Sequence, residues 1–96
     1  MIYNVKIHQM KIEANNKFMP YDFTMKHGGI NLADYEMIYE MRMMNNYGVE
    51  RNLDIVYEKL NLYHPSDYKG HSLSVSDIIE INGDMYYVDS IGFKRI

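Results

Sequence analysis

The dipeptide Asn82-Gly83, set between two apolar stretches, is the feature that most constrains the fold of this chain. Asn-Gly between alternating apolar residues is the strongest short-range signal for a two-residue β-hairpin turn. Such a turn fixes the register of its strands and places Ile81 opposite Asp84. Two residues further from the turn, Ile79 lies opposite Tyr86. The face that we expect to enter the core is then apolar, with Ile79, Ile81, Tyr86 and Val88.

Alternation of apolar and polar residues predicts further strands beside this hairpin. Residues 2–8 alternate and predict a first strand. The serines that flank Leu73 and Val75 extend the first hairpin strand to residues 72–81, and the second strand covers 84–89. After Gly92, a short terminal strand is expected near Phe93.

Two stretches have the spacing of amphipathic helices. Asn31 can cap a helix that extends through the methionine-rich stretch Met37–Met44, with a stripe at Leu32, Tyr35, Ile38 and Tyr39. A second helix is expected from near Asn52 to His64-Pro65, with a stripe at Leu53, Val56, Tyr57 and Leu60. The sequence therefore predicts an α+β fold, with two helices packed on a small, mainly antiparallel sheet that includes a C-terminal β-hairpin.

Residues 11–30 follow neither period. Pro20 and Gly28-Gly29 interrupt the segment, and its apolar residues are isolated. We expect an ordered loop that lies over the core and half-covers the second face of the hairpin. A structureless loop of nearly twenty residues is uncommon in a compact domain, so part of it is expected to be functional or to form another element.

Length and composition limit the classes of protein that this chain can belong to. Its 96 residues are expected to form one domain, 1–96. The net charge of −3 and the absence of cysteine argue against a polyanion binder, a disulfide scaffold and a thiolate zinc site. The sequence has no apolar stretch typical of a signal peptide or a membrane span, so we expect a cytoplasmic protein without membrane contact.

The stretch from His64 to His71 is the most conspicuous candidate for chemistry. Its two histidines with Asp67 could supply metal ligands, although their spacing matches no zinc signature and the residue types are also those of a turn. Ser72, Ser74 and Ser76 near His71 suggest a serine hydrolase, but no nucleophile elbow or oxyanion loop accompanies them. We therefore expect no catalytic residue, no metal and no cofactor.

Nucleic-acid binding is a further alternative, which the overall acidity disfavours. Lys11, Lys17 and Lys26, interleaved with aromatic residues, could form a modest basic patch. A stronger feature is the surplus of nine methionines and ten tyrosines, residue types that suit protein interfaces, although an A+T-rich genome also inflates both. The anchors that we expect for a protein partner are Phe18, Tyr21, Phe23, Met41 and Met44.

The C-terminal half of the chain resembles the YodL-like domain family. The resemblance rests on residues 53–57, on Asn61, on the run His64-Pro65-Ser66-Asp67-Tyr68-Lys69-Gly70-His71-Ser72-Leu73-Ser74-Val75-Ser76-Asp77-Ile78-Ile79, and on residues 86–93. Asp34-Tyr35 and Ile38-Tyr39 add a weaker match, whereas the first thirty residues have none. The family resemblance implies an accessory protein of bacteria and their mobile elements, often encoded near antirestriction genes, with no established catalytic residue. One member of the family is linked to the actin-like cytoskeleton.

These observations together favour a non-enzymatic binding protein from a phage or mobile element. We expect it to inhibit a bacterial defence nuclease, in the manner of an anti-CRISPR or antirestriction protein. Modulation of the actin-like cytoskeleton, and thereby of cell shape, is the alternative, followed by weak nucleic-acid binding. The sequence leaves open which protein is bound, the oligomeric state, and any role of the His64–Asp77 run beyond structure.

Overall fold

A computed structural model describes residues 2–14, 17–44, 47–62, 66–68 and 70–96. Five strands form one antiparallel sheet in the order β2-β1-β3-β4-β5. The strands are β1 (Tyr3–Met10), β2 (Tyr35–Met43), β3 (Ile78–Ile81), β4 (Asp84–Val88) and β5 (Phe93–Arg95). The helices are α1 (Tyr21–Lys26) and α2 (Val49–Leu62), and a single 3₁₀ turn covers Leu32–Asp34. The predicted α+β class is confirmed.

The predicted hairpin is present with the predicted register. Ile81 pairs with Asp84, and Ile79 pairs with Tyr86. Asn82 and Gly83 have φ angles of 50° and 91°, as both central residues of a type I′ turn require. Asn82 also bonds to the first strand, because its side-chain oxygen accepts from the Asn4 amide at 2.9 Å. The strand near Phe93 is likewise confirmed as β5.

The core lies on both faces of the sheet. On the first face, α2 buries Leu53, Val56 and Leu60 against the apolar hairpin face predicted above. On the second face, a smaller cluster forms around Tyr35, Ile78 and Tyr87. Tyr21 and Ile30, from the segment expected to cover this face, pack against that cluster. The molecule therefore has three layers, with the sheet in the middle.

The prediction of a helix from Asn31 to Met44 is wrong, because residues Tyr35–Met43 form strand β2. Ile7 pairs with Tyr39 and the next residue of β1, His8, pairs with Met37, so Ile38 has no partner and forms a bulge. Ile38 and Tyr39 consequently both pack against the α2 side of the core. The bulge interrupts the alternation of inward and outward side chains along β2, so that its apolar residues have the spacing of a helix. Pairing with β1 outweighs the helix propensity of Met and Glu.

Two other boundaries differ from the sequence predictions. The strand expected over residues 72–81 begins only at Ile78. Ser76, at a φ of 84°, lies in a turn that the Asp77 amide closes by bonding to the Ser74 carbonyl. Helix α2 begins at Val49, earlier than the predicted start near Asn52, and the predicted end at His64-Pro65 lies outside the described residues.

Helix α1 is the element that the sequence prediction left unresolved within residues 11–30. It occupies six residues, and Thr24 is its one buried side chain. Asn31, expected to cap a long helix, instead caps the 3₁₀ turn, where its side chain accepts from the Ala33 amide at 3.0 Å. No helix in the described residues is long and apolar enough to cross a membrane.

Candidate functional site

Residues 17–30 form a segment, here called the α1 segment, that is fixed to the second face of the sheet by polar contacts. The Tyr87 hydroxyl donates to the Met19 carbonyl at 2.7 Å. Because that hydroxyl has one hydrogen, the Thr24 hydroxyl must donate in its 2.8 Å contact with Tyr87. Burial raises the pKa of Tyr87 and keeps this hydroxyl protonated. A single buried tyrosine thus holds two points of the α1 segment.

Further bonds fix both ends of the stretch that leads into α1. The Tyr21 amide donates to Asp89 at 3.0 Å, and this carboxylate satisfies one of the open amides at the start of the helix. The Phe18 amide donates to the Ser76 hydroxyl at 2.9 Å. The segment that the sequence treats as a loop is therefore held in place by side chains from positions 76–89.

Several large apolar side chains of this fixed segment are exposed, next to the exposed and charged Asp22 and Lys26. Phe18 is 53% exposed, Phe23 37% and Met25 48%. The ring of Phe23 stacks on His27 with centroids 3.9 Å apart, which limits its rotation. Large apolar side chains that remain exposed on a rigid support are typical of protein-binding surfaces, because little conformational entropy is lost on binding.

The residues predicted as partner anchors do not lie on one face. Phe18 and Phe23 point outward from the α1 segment, whereas Tyr21 is half-buried edge-to-face against Tyr87. Met41 is half-buried against the core on the opposite face of the sheet, and Met44 is 69% exposed just after β2. The structure thus places both phenylalanines on the α1 segment, Phe18 beside His71 and Phe23 beside His27, and places Met41 on the other face of the sheet.

The family-like run from Ser66 to Asp77 folds around a buried polar cluster. The Gln9 amide nitrogen donates to the His71 carbonyl at 2.9 Å and to the Asp77 carboxylate at 3.1 Å. The Ser74 amide donates to the same carboxylate at 2.9 Å, and the Tyr68 hydroxyl donates to the His71 carbonyl at 2.6 Å. Burial raises the pKa of Asp77 to about 6 and that of Tyr68 to about 12.

Gly70 closes this cluster against the sheet. A Cβ atom at this position would lie 2.2 Å from Ile38 Cδ1 and 2.7 Å from Gln9 Oε1. Both distances are far below van der Waals contact, so a Cβ atom at this position displaces the ends of the Ile38 and Gln9 side chains. The Tyr68 ring packs edge-to-face on Tyr39, 5.3 Å between centroids, and completes the contact.

Two serines of this run and His71 make hydrogen bonds that hold the loop. The Ser74 hydroxyl donates to the Ser72 carbonyl at 3.2 Å, and the Ser76 hydroxyl accepts from the Phe18 amide. His71 directs Nδ1 toward the Ser72 carbonyl at 2.7 Å. These bonds fix the loop and its contact with the α1 segment.

The metal alternative rests on His64, which lies outside the described residues. Asp67, the second candidate ligand, accepts a hydrogen bond from the Tyr39 hydroxyl at 3.0 Å. In the described part of the chain, no group of three or more His, Asp or Glu side chains is placed to hold a metal ion.

Sequence reasoning did not identify Gln9 and Thr24, two polar residues that join distant parts of the molecule. Both are almost fully buried. Gln9 follows the last predicted strand residue, and Thr24 sits among apolar anchors in the unassigned segment. A signal for Gln9 exists in hindsight, since alternation from Val5 and Ile7 places it on the buried face.

A family model matches nearly the whole chain. The model described as YodL-like domain covers residues 4–96, which includes residues 4–30, where the sequence alone shows no resemblance. Comparison with curated proteins found no match, and neither did comparison with solved structures.

Proposed function

The chain belongs to the YodL-like domain family, and from that premise we propose that it is a non-enzymatic binding protein of a phage or mobile element. Its proposed action is to occupy a surface of a bacterial defence nuclease, as an anti-CRISPR or antirestriction protein does, and so to inhibit it. The α1 segment is the proposed contact surface, with Phe18 and Phe23 as anchors. Its proposed location is the cytoplasm, where such a nuclease acts.

The observation that carries this proposal is the exposure of two aromatic side chains, Phe18 and Phe23, on the fixed backbone of the α1 segment. Binding through an exposed aromatic residue normally costs conformational entropy, because the backbone that carries the residue must be ordered at the interface. Here the backbone is already held by Tyr87, Asp89 and Ser76. Aromatic anchors on a pre-ordered segment are typical of binding hot spots.

The polar cluster around Asp77 supports the non-enzymatic part of the proposal. Its groups bond to one another and to the backbone, and Asp77 itself is 1% exposed. A catalytic acid or base must reach a proton on its substrate, and this carboxylate has no such access. We assign the family-like run to folding and the α1 segment to recognition.

The experiment is capture of the partner from bacteria that carry a CRISPR or restriction system, with plating of phage on the same cells. Phe23→Asp introduces a charge at a proposed anchor, and we expect it to abolish capture and to lower phage plating at least tenfold. Ile91→Asp is the matched control, because Ile91 is 89% exposed on another part of the surface. Equal melting temperatures of the two variants show that both are folded.

The same experiment separates the alternatives. Recovery of an actin-like filament protein, with a change of cell width on expression, replaces the nuclease by the cytoskeleton as the target. Recovery of nucleic acid that elutes with moderate salt replaces both by nucleic-acid binding. Equal effects of Phe23→Asp and Ile91→Asp on capture contradict the assignment of the α1 segment.

A further inference from the structure

The two edges of the sheet differ in a way that matters for association. Strand β5, at one edge, has three residues and carries Lys94 and Arg95. Short, charged edge strands resist pairing with another chain. Strand β2, at the other edge, has nine residues, and no described strand pairs with its outer side. The β2 edge is therefore the one at which a further strand can be added.

The bulge at Ile38 limits regular pairing to the second half of β2. From Tyr39 to Met43 the strand pairs without interruption with β1. Within this stretch, Glu40 and Arg42 are exposed and lie on one face of the sheet, while Tyr39, Met41 and Met43 lie on the α2 face. Tyr39 and Met41 are only half-buried, so a neighbouring strand can cover more of their surface.

From this pattern we infer that two copies of the chain pair antiparallel through their β2 edges, about a two-fold axis at Met41. The inference goes beyond the proposed function and does not depend on it. The axis places Glu40 of each copy opposite Arg42 of the other, which gives two opposite-charge pairs in one dimer. On the other face it places Tyr39 opposite Met43 and the two Met41 side chains beside each other. The two opposite-charge pairs are favourable cross-strand pairs, and the apolar side chains on the other face lose exposed surface against each other.

The neighbouring symmetric registers are unfavourable, so the sequence selects one. Paired residues must point to the same face, which requires the axis to pass at a residue rather than between two residues. An axis at Glu40 sets two glutamates opposite each other, and an axis at Arg42 sets two arginines opposite each other. Like charges directly opposite destabilise a strand pair. The Met41 axis alone combines opposite charges with the regular stretch of β2.

Glu40 and Arg42 differ in their contacts within their own chain. Glu40 lies opposite Lys6 of β1, and its carboxylate accepts from the Asn4 side chain at 2.9 Å. Arg42 lies opposite the uncharged Asn4. The Glu40 carboxylate is thus held toward β1 and turns to the outer edge when it pairs with the second copy, while the arginine has its charge partner there.

The first test is sedimentation of the full chain and of charge variants. We expect a concentration-dependent dimer for the natural chain. Glu40→Arg and Arg42→Glu each convert both opposite-charge pairs into like-charge pairs, and each should weaken dimerisation about tenfold or more. The double variant E40R/R42E restores opposite charges in the same register and should restore the dimer. A monomer at every concentration up to about 0.5 mM contradicts the inference, and so does a dimer that the single variants leave unchanged.

The second test is disulfide cross-linking, which the absence of cysteine makes specific. Met41→Cys puts two thiols directly opposite each other, at a Cα separation of about 5 Å, within the range that a disulfide spans. Met37→Cys is the matched control on the same strand, because its two copies would be about 27 Å apart along the paired strands. We expect cross-linked dimer for Met41→Cys alone. Cross-linking of Met37→Cys to an equal extent contradicts the proposed register.

Discussion

The side-chain amide of Gln9 donates a 3.1 Å hydrogen bond to the carboxylate of Asp77, a residue 68 positions away that is almost fully buried. This bond joins β1 to the end of the family-like run. The carboxylate also accepts from the Ser74 amide, and nearby His71 favours its ionised form. Burial nevertheless dominates and raises the pKa of Asp77 from 3.8 to about 6.

The raised pKa of Asp77 predicts a specific pH dependence of stability. Since the folded pKa lies above the unfolded value, the folded state binds the proton more tightly. This group therefore makes the protein more stable as the pH falls from 7 to 5, by about 1 kcal/mol in the free energy of unfolding. Urea unfolding at both pH values measures the change, and Asp77→Asn, which cannot ionise, should lack this contribution. Parallel changes in both proteins would contradict the prediction.

Gly70→Ala should destabilise the protein by about 1–2 kcal/mol, because the new methyl group overlaps Ile38 Cδ1 and Gln9 Oε1. Ile38→Val removes the Cδ1 atom and should recover part of the loss when combined with Gly70→Ala. Thermal unfolding of the two single variants and the double variant measures the coupling between the sites. Strictly additive losses would show that the glycine is not required by contact with Ile38.

Ser76 predicts an unusual order of variant stabilities. Its φ of 84° is strained for any residue with a Cβ atom. Its hydroxyl accepts a hydrogen bond from the Phe18 amide. Ser76→Gly loses the acceptor but relieves the strain, whereas Ser76→Ala loses the acceptor and keeps the strain. We expect the alanine variant to be less stable than the glycine variant by about 1 kcal/mol. Denaturant unfolding measures the stability of the two variants. An alanine variant that is more stable than the glycine variant would contradict the prediction.

Tyr87→Phe should loosen the α1 segment more than it perturbs the sheet. The variant removes the hydroxyl shared by Thr24 and Met19, and each buried polar group left without a partner costs about 1–3 kcal/mol. Hydrogen exchange should speed up in residues 19–26. Tyr86→Phe is the control, because within the described residues no hydrogen bond is made by the Tyr86 hydroxyl. Equal exchange in both variants would contradict the role of the Tyr87 hydroxyl.

Features set by neighbouring residues could be predicted from the sequence, and features set by distant contacts could not. The Asn82-Gly83 turn needs two residues with positive φ, a local requirement that the sequence states directly. Strand β2 was mistaken for a helix because the bulge at Ile38 exists only in its pairing with β1. Helix α1 has only six residues and no side-chain cap, so a sequence pattern gives little sign of where it starts.

The proposed contact residues show the same division. The sequence places Phe18 and Phe23 among the isolated apolar residues of an irregular segment, and the structure leaves both exposed, while their role in binding stays a prediction. The sequence groups Met41 with them on the premise of a helix, whereas its place on β2 puts it on the other face of the sheet. The bond between Gln9 and Asp77 required knowledge that β1 and β3 are adjacent.

The close fit of Gly70 against Ile38 and Gln9 bears on what membership of the family can say about a target. The run by which the resemblance is noticed is engaged in closing the fold, so its presence indicates a scaffold and not a target. The outward side chains of the α1 segment are not needed for that closure. A target found for one member of the family therefore does not by itself identify the target of this chain.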